Sequence, residues 1–582
     1  MFNNLKKLSS VLSHFQKKKL FFITILMFLS MLAEIFTLNM LFLLLSYFSN
    51  DGFGKTNFIL DEISSYYDFI NLEIVLIGLF LLSFLIKSTM TIIINWNENK
   101  FFAQTERDLA LDFFQGYISM PKIFHIRTNI SETVKVITFE IQHLLYAIRS
   151  ISTLFMEVLI LVGLTIFLFF INFKVTILTF FILFFFSIFL YFLNSKPVNS
   201  MGKKRVIFTK KRLQNIIEGI SGAKIFQLTG TEKKIVEEFK INNDELANIV
   251  HLTGFRLSIP RTLFEILVLF LAAFLIFIAI KNKVEMIEMI PVLGIFLTAG
   301  YRMVPSFGRI LSSTHRLSFS LQAIRKIYID HEKFKSNKIN FIDKKKYEIN
   351  NIFKNSLKIS NLGFTYEKNQ KNFNTFVFNN LNLEINKTDK IGIIGKSGSG
   401  KSTLVDILMG FLDPVKGEIE IDKNKFFEIK KQWQKIIGCV PQDVFILDKS
   451  LAENIAFGFS KEEIDFKQLK KCIREANIED LEKDLKFGVN SLLGEKGARL
   501  SGGQRQRIGI ARALYNRPEV LIFDEVTSAL DKKNEEKIID EIFKTYADKT
   551  IIFVSHNIKN LRYCNKILEI EKQTAKTIDI KK

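Results

Sequence analysis

Cysteine, proline and acidic residues are all scarce, and each scarcity excludes something. Three cysteines occur among 582 residues (Cys439, Cys472, Cys564), with no C-x-x-C pair, so neither a disulfide framework nor a zinc site is expected. Only eight prolines stand against 60 phenylalanines, and 59 Asp and Glu against 80 Lys and Arg, for a net charge of +21. A length of 582 residues would ordinarily make three or four soluble domains. Yet hydrophobic residues make up 48% of the chain and the mean hydropathy is +0.19. A soluble protein could hardly hide so much apolar side chain, so membrane segments are expected. In such a chain the basic excess marks loops flanking the spans, and no nucleic-acid partner is expected.

The first 19 residues hold five lysines (Lys6, Lys7, Lys17, Lys18, Lys19) and no acid, and an apolar run follows from Leu20 to about Phe48. That run is too long for a signal peptide and lacks a small-residue cleavage site, so it reads as a retained first span. Five more spans are predicted at 72–95, 152–171, 175–194, 262–280 and 286–306, each near the roughly 20 residues that a ~30 Å hydrocarbon layer requires of a helix. The segment 50–71 has one lysine against Asp51, Asp61, Glu62 and Asp68, whereas 196–260 has twelve Lys and Arg against six acids. The former is therefore expected outside, the latter and both termini inside. The expected organisation is a six-helix membrane domain over 1–333 with two long cytoplasmic loops, a Lys- and Asn-rich linker over 334–355, and a soluble α/β domain over 356–582.

The soluble part carries the most specific chemistry. Lys390–Ile394 (KIGII) reads as a buried strand that leads into Gly395-Lys396-Ser397-Gly398-Ser399-Gly400-Lys401-Ser402-Thr403. This is a P-loop in its strand–loop–helix setting. Its glycines let backbone N–H groups wrap phosphate oxygens at a helix amino end. Lys401 is expected to reach the β- and γ-phosphates, and the Ser402 hydroxyl to ligate Mg²⁺. Val520–Phe523 is an apolar run ending in Asp524 and Glu525; Asp524 suits the Mg²⁺ shell and Glu525 the activation of a water.

Leu500-Ser501-Gly502-Gly503-Gln504, ahead of a basic helix, narrows the class. With this signature, residues 357–570 closely resemble the ATP-binding cassette (ABC) family. The resemblance implies ATP with Mg²⁺. It makes Tyr366 the adenine-stacking aromatic and Gln442 a Q-loop residue sharing the Mg²⁺ with Ser402 and Asp524. It also implies a D-loop at Ser528-Ala529-Leu530-Asp531 and His556 as γ-phosphate sensor. Val526 departs from the usual alanine without touching a catalytic group. Six spans ahead of one cassette resemble the half-transporter exporters of this family, which implies a homodimer sharing ATP between the P-loop of one chain and the signature of the other. It also implies coupling helices near 118–126 and 218–227.

The membrane half holds charges that are costly in a bilayer. Lys87 lies in the second span, Arg261 opens the fifth, and Arg302 and Arg309 share one face of the sixth, about 10 Å apart. Glu34 and Glu157 are the available counter-charges, and Arg261 has Glu265 at i, i+4. The four cations suit a phosphate or pyrophosphate headgroup, and the Phe-rich walls suit a lipid tail; internal pairing is the competing explanation. The placing of Lys87, Pro260-Arg261 and Tyr301-Arg302 through Arg309 resembles the PglK-type lipid-linked oligosaccharide flippases of bacterial glycosylation, which implies a bacterial inner-membrane location and a short external helix over 54–70. Two other classes stay open: a general lipid A or multidrug exporter, and a gated channel or regulatory ATPase, against which the intact Glu525 argues. A peptide exporter with an amino-terminal protease is disfavoured, since no room precedes the first span.

Overall fold

In the computed structural model the chain divides into two compact units, Met1–Met120 with Arg127–Phe341, and Pro121–Ile126 with Ile342–Lys582. The structure describes residues 2–49, 72–281, 286–336, 352–367, 376–526, 532–555, 561–571 and 573–579. The expected external helix over 54–70, the D-loop Ser528–Asp531 and His556 lie outside the described residues.

The first unit is helical. After α1 (Phe2–Val11), long helices α2 (His14–Ser49) and α3 (Leu72–Ile118) precede the short α4 (Lys122–Arg127), which belongs to the second unit up to Ile126, and α5 (Ile130–Lys135). One π-turn, Val136–Glu140, joins α5 to α6 (Ile141–Ile171), and then come α7 (Phe173–Ser221), α8 (Ala223–Thr229), α9 (Glu232–Lys281) and α10 (Met286–Ser336). Five of these helices are long and apolar enough to cross a membrane by length and composition. The sixth expected span, 286–306, falls within α10. Many apolar side chains on these helices, among them Phe21, Leu85, Phe185 and Phe270, are exposed within the protein, the state that hydrocarbon contact stabilises.

Inside the bundle, Leu164, Phe264, Ile295, Ala299 and Phe307 pack into one core, with the Phe264 and Phe307 rings stacked at 5.4 Å. Where the helices extend beyond the apolar stretches, polar pairs replace that core. Arg205 donates to Glu140 at 3.1 Å, Lys326 to Glu132 at 2.7 Å, and the Tyr117 hydroxyl to Asp330 at 2.8 Å. The two long loops expected from sequence are thus mostly continuations of the membrane helices, broken by α4–α5 and α8.

The second unit contains two sheets. β1 (Ser356–Phe364), β2 (Phe378–Asn386), β4 (Lys416–Ile421) and β5 (Asn424–Lys425) form an antiparallel sheet in the order β2-β1-β4-β5. β3 (Lys390–Gly395), β6 (Ile437–Val440), β7 (Val520–Asp524), β8 (Thr550–Val554), β9 (Lys566–Glu571) and β10 (Thr574–Asp579) form the second, in the order β10-β9-β3-β8-β7-β6. Its strands are parallel except β10. Residues in β7 and β8 are almost all buried (VLIFD, TIIFV), as strands covered on both faces must be.

The expected linker ends earlier than its composition indicated. α10 continues to Ser336, and Phe353 is already in the second unit's core, 1% exposed and edge-on to Trp433 at 5.4 Å. The Asp422 carboxylate accepts from the backbone N–H groups of Lys354, Asn355 and Ser356. A single buried aromatic among lysines and asparagines is too weak a pattern to reveal a strand lead-in from sequence.

Candidate functional site

The carboxyl ends of β3, β7 and β8 converge on one edge of the parallel sheet, where open α/β sheets bind ligands. β3 ends in Gly395 and the P-loop runs to α11 (Lys401–Leu408). Two of its glycines are required by the backbone. Gly395 has φ 153° and a Cβ there would lie 2.6 Å from Ser399 Oγ; Gly400 has φ 107° and a Cβ would meet Val377 at 2.8 Å. The Lys401 ammonium is buried and bonds the carbonyls of Gly395 and Lys396 at 3.0 and 3.2 Å, so the cation lies over the loop that it would neutralise phosphate in. Tyr366, edge-on to Phe364 at 5.0 Å, has its hydroxyl 3.0 Å from Thr403 Oγ1.

At the end of β7, Asp524 and Glu525 differ in environment. Burial, then the neighbouring charges of Glu525 and Asp406, pushes the Asp524 carboxyl above the usual carboxylate range. Its Oδ1, like Ser399 Oγ, is buried without a hydrogen-bond partner. A buried acceptor of this kind, in a site with Ser402 and Lys401 at hand, fits a Mg²⁺–phosphate ligand. Glu525 stands in the left-handed region at φ 51°, and Gln442 Nε2 donates to its Oε2 at 2.9 Å. Strain of this kind costs roughly 1–3 kcal/mol, and in this conformation the Glu525 side chain meets Gln442.

The signature begins α16 (Gly502–Tyr515), which follows the shorter helices α12 (Phe426–Lys435), α13 (Leu451–Ile455), α14 (Phe466–Glu475) and α15 (Glu479–Asp484) and precedes α17 (Lys532–Thr545). Ser501 and Gln504 form a capping box: Ser501 Oγ accepts from the Gln504 N–H at 3.2 Å, and Gln504 Oε1 from the Ser501 N–H at 2.8 Å. That reciprocal pairing leaves the N–H groups of Gly502 and Gly503 at a helix amino end suited to an anion. α11 buries Leu404, Val405 and Leu408 in one core, while α16 buries Ile508, Ile510 and Leu514 in another. β7 alternates between the two cores, Val520 and Ile522 facing the first and Leu521 and Phe523 the second, so α11 and α16 pack on opposite faces of the parallel sheet.

Sequence reasoning missed several supports. Asp406 in α11 is buried and accepts both of its bonds from Lys122 Nζ, at 2.6 and 2.7 Å, within the second unit. Arg512 of α16 donates to the carbonyls of Asn454 and Phe445 at 2.8 Å each. Neither has a local sequence signal, because each partner is distant in the chain. The three cysteines are free, and burial pushes each thiol up to about 12.

Residues 378–528 match the family model described as ABC transporter. That stretch is similar to the ABC transporter domain. Such a domain uses ATP with Mg²⁺, which supply the cleavable phosphoanhydride and the neutralisation of its charge. A leukotoxin translocation ATP-binding protein of Mannheimia glucosida is 42% identical over 200 residues, 34% of this chain and 28% of that protein. A Rickettsia typhi protein, provisionally named an export ATP-binding/permease protein, is 37% identical over 237 residues, 40% of each. This chain thus spans less than half the length of the curated relatives it matches. A bacterial Atm1-family ABC exporter with ATP bound has the same fold, with a TM-score of 0.72 over 97% of this chain and 95% of that one, at 18% identity. The fold is a transmembrane helical domain fused to an ABC cassette.

In the membrane half, all four predicted cations meet carboxylates. Buried Glu34 bonds both Arg302, through Nε and Nη2, and Lys87 at 3.1 Å. Glu157 accepts from Arg309, with the Nη2 bond at 3.1 Å. Arg261 donates to Glu265 at 3.0 Å. Lys87 and Arg302 are therefore brought to one carboxylate; Arg309 and Arg261 each have their own.

Proposed function

We propose that the chain is one half of a homodimeric, ATP-driven exporter of the bacterial inner membrane that flips a polyprenyl-pyrophosphate-linked oligosaccharide, with both termini in the cytoplasm. The supporting observation is the pair of buried acids, Glu34 and Glu157, each set against an arginine of α10 inside an apolar helical unit. Desolvating such pairs costs several kcal/mol per ion, and charges kept at that cost within a bilayer are functional by default. Three cations, Lys87, Arg302 and Arg309, share two acids, so the group retains a positive surplus that a pyrophosphate complements. At the cassette, Lys401 would neutralise phosphate, Asp524 with Ser402 and Gln442 would hold Mg²⁺, and Glu525 would accept a proton from the attacking water. The helix after the P-loop and the signature helix pack on opposite faces of the parallel sheet, which supports ATP shared between two chains.

A second reading, a general lipid A or multidrug exporter, is favoured by the pairing itself, since every one of the four cations already has a carboxylate. ATPase activity in lipid discs, with and without a polyprenyl-pyrophosphate glycan, separates the two. Stimulation by the glycolipid and not by simple drugs or lipid A supports the flippase. Stimulation by many amphiphiles alike supports the general exporter.

A further inference from the structure

Arg302 and Arg309 are followed, after a further seven residues of α10, by Arg316. Seven residues return to the same helical face with a drift of about 20°, so the three arginines form a ladder with steps of about 10 Å. The first two rungs have Glu34 and Glu157. Among the described residues Arg316 has no carboxylate partner, and it is exposed.

Arg316 lines a cavity of about 480 Å³ in the first unit, together with Arg149, Arg309, His143, Ser312 and Ser320. No acidic residue lines it. Arg149 donates to Asn99 at 2.8 Å and stacks over the Phe102 ring at 4.6 Å; Glu98 and Glu106 lie near it outside this cavity, without a salt bridge among the described residues. A second cavity, about 790 Å³, shares Arg309, Ser312 and Arg316 with the first and holds Arg261 with its partner Glu265. The arginine ladder therefore leads into a chamber where guanidinium groups outnumber carboxylates and hydroxyls stand beside them. Guanidiniums and hydroxyl donors lining one cavity suit the recognition of a phosphoryl oxyanion.

We propose that Arg316 and Arg149 form a phosphoryl-binding site, taking a phosphate monoester or pyrophosphate before it meets the paired charges at Arg309 and Arg302. This deepens the flippase reading and rests on it only in that the ligand is anionic.

The test uses the full chain with Lys401→Ala, which removes the main phosphate counter-charge of the cassette. Binding of radiolabelled inorganic pyrophosphate is measured by equilibrium dialysis for that protein and for its Arg316→Gln and Arg316→Lys derivatives. A lost charge-assisted contact predicts binding weakened about ten-fold or more by Arg316→Gln, with Arg316→Lys in between. Arg316→Lys also controls for folding. Equal pyrophosphate affinity in Arg316→Gln, or no binding to the Lys401→Ala parent, overturns the site. Repeating the assay in phosphatidylcholine discs with and without phosphatidic acid names the source. Competition by phosphatidic acid identifies a lipid headgroup, and its absence identifies a soluble phosphate ester; both uphold the site. If Arg316-dependent pyrophosphate binding persists while glycolipid fails to stimulate ATPase, the flippase reading falls and this site stands.

Discussion

Gln442 donates its side-chain N–H to the carboxylate of Glu525 across 2.9 Å, joining the loop after β6 to the end of β7. The Glu525 backbone, at φ 51°, is held by its own N–H bonding the Val554 carbonyl at 3.2 Å. The carboxylate assigned to water activation is thus positioned from two sides.

Glu525→Gln keeps the size and the bond to the Q-loop region but cannot accept a proton. ATP hydrolysis should fall about 100-fold or more while nucleotide affinity is retained, as checked by phosphate release and by binding of a labelled nucleotide. Wild-type turnover in this variant would remove Glu525 from that role.

Asp524 gives a pH prediction. Its carboxyl is raised by burial and by Glu525 and Asp406, so as pH falls it protonates earlier than an ordinary carboxylate. A raised acid destabilises the ligand-free fold once ionised, and that cost is relieved as pH falls through the raised value. The proposed Mg²⁺ role of Asp524 requires the ionised form, so the apparent KM for Mg²⁺ should rise on acidification above the usual carboxylate range. Mg²⁺ titrations of ATPase activity across pH check this, and a flat KM down to ordinary carboxylate values contradicts it.

The Glu34–Arg302 pair should be costly to break from one side. Arg302→Gln leaves a buried carboxylate with Lys87 alone and should lose up to about 3 kcal/mol, less than a fully buried pair because Arg302 is partly exposed. Adding Glu34→Gln should recover part of that loss. Thermal unfolding in detergent checks the cycle; strictly additive losses would mean that the two residues do not interact.

Gly202 in α7 approaches the α10 backbone so closely that a Cβ would stand 2.6 Å from the Phe319 carbonyl oxygen. Gly202→Ala must push the two helices apart and should destabilise by about 1–3 kcal/mol. An unchanged unfolding temperature would contradict that packing.

Much of the cassette was legible because its chemistry is written locally. The P-loop, the Asp524–Glu525 strand end and the Ser501–Gln504 cap each lie within a few residues, and fixed turns force their residue types. Glu34 and Arg302 illustrate the opposite case: they are 268 residues apart, and only the packing of α2 on α10 makes them partners. Sequence supplied both residues and the possibility of pairing, but not which acid meets which cation. Arg316 was overlooked although its seven-residue spacing from Arg309 was visible, because it lies past the apolar stretch where charge is unremarkable. Phe353 was assigned to the linker for want of any neighbouring apolar period.

Transport itself is tested by reconstituting the purified protein in proteoliposomes with a fluorescent polyprenyl-pyrophosphate glycan and measuring its protection from an external probe. ATP with Mg²⁺ should drive the glycolipid across the bilayer, and Glu525→Gln should abolish the movement. Unchanged glycolipid distribution, in a preparation that hydrolyses ATP normally, would contradict the assignment as a flippase.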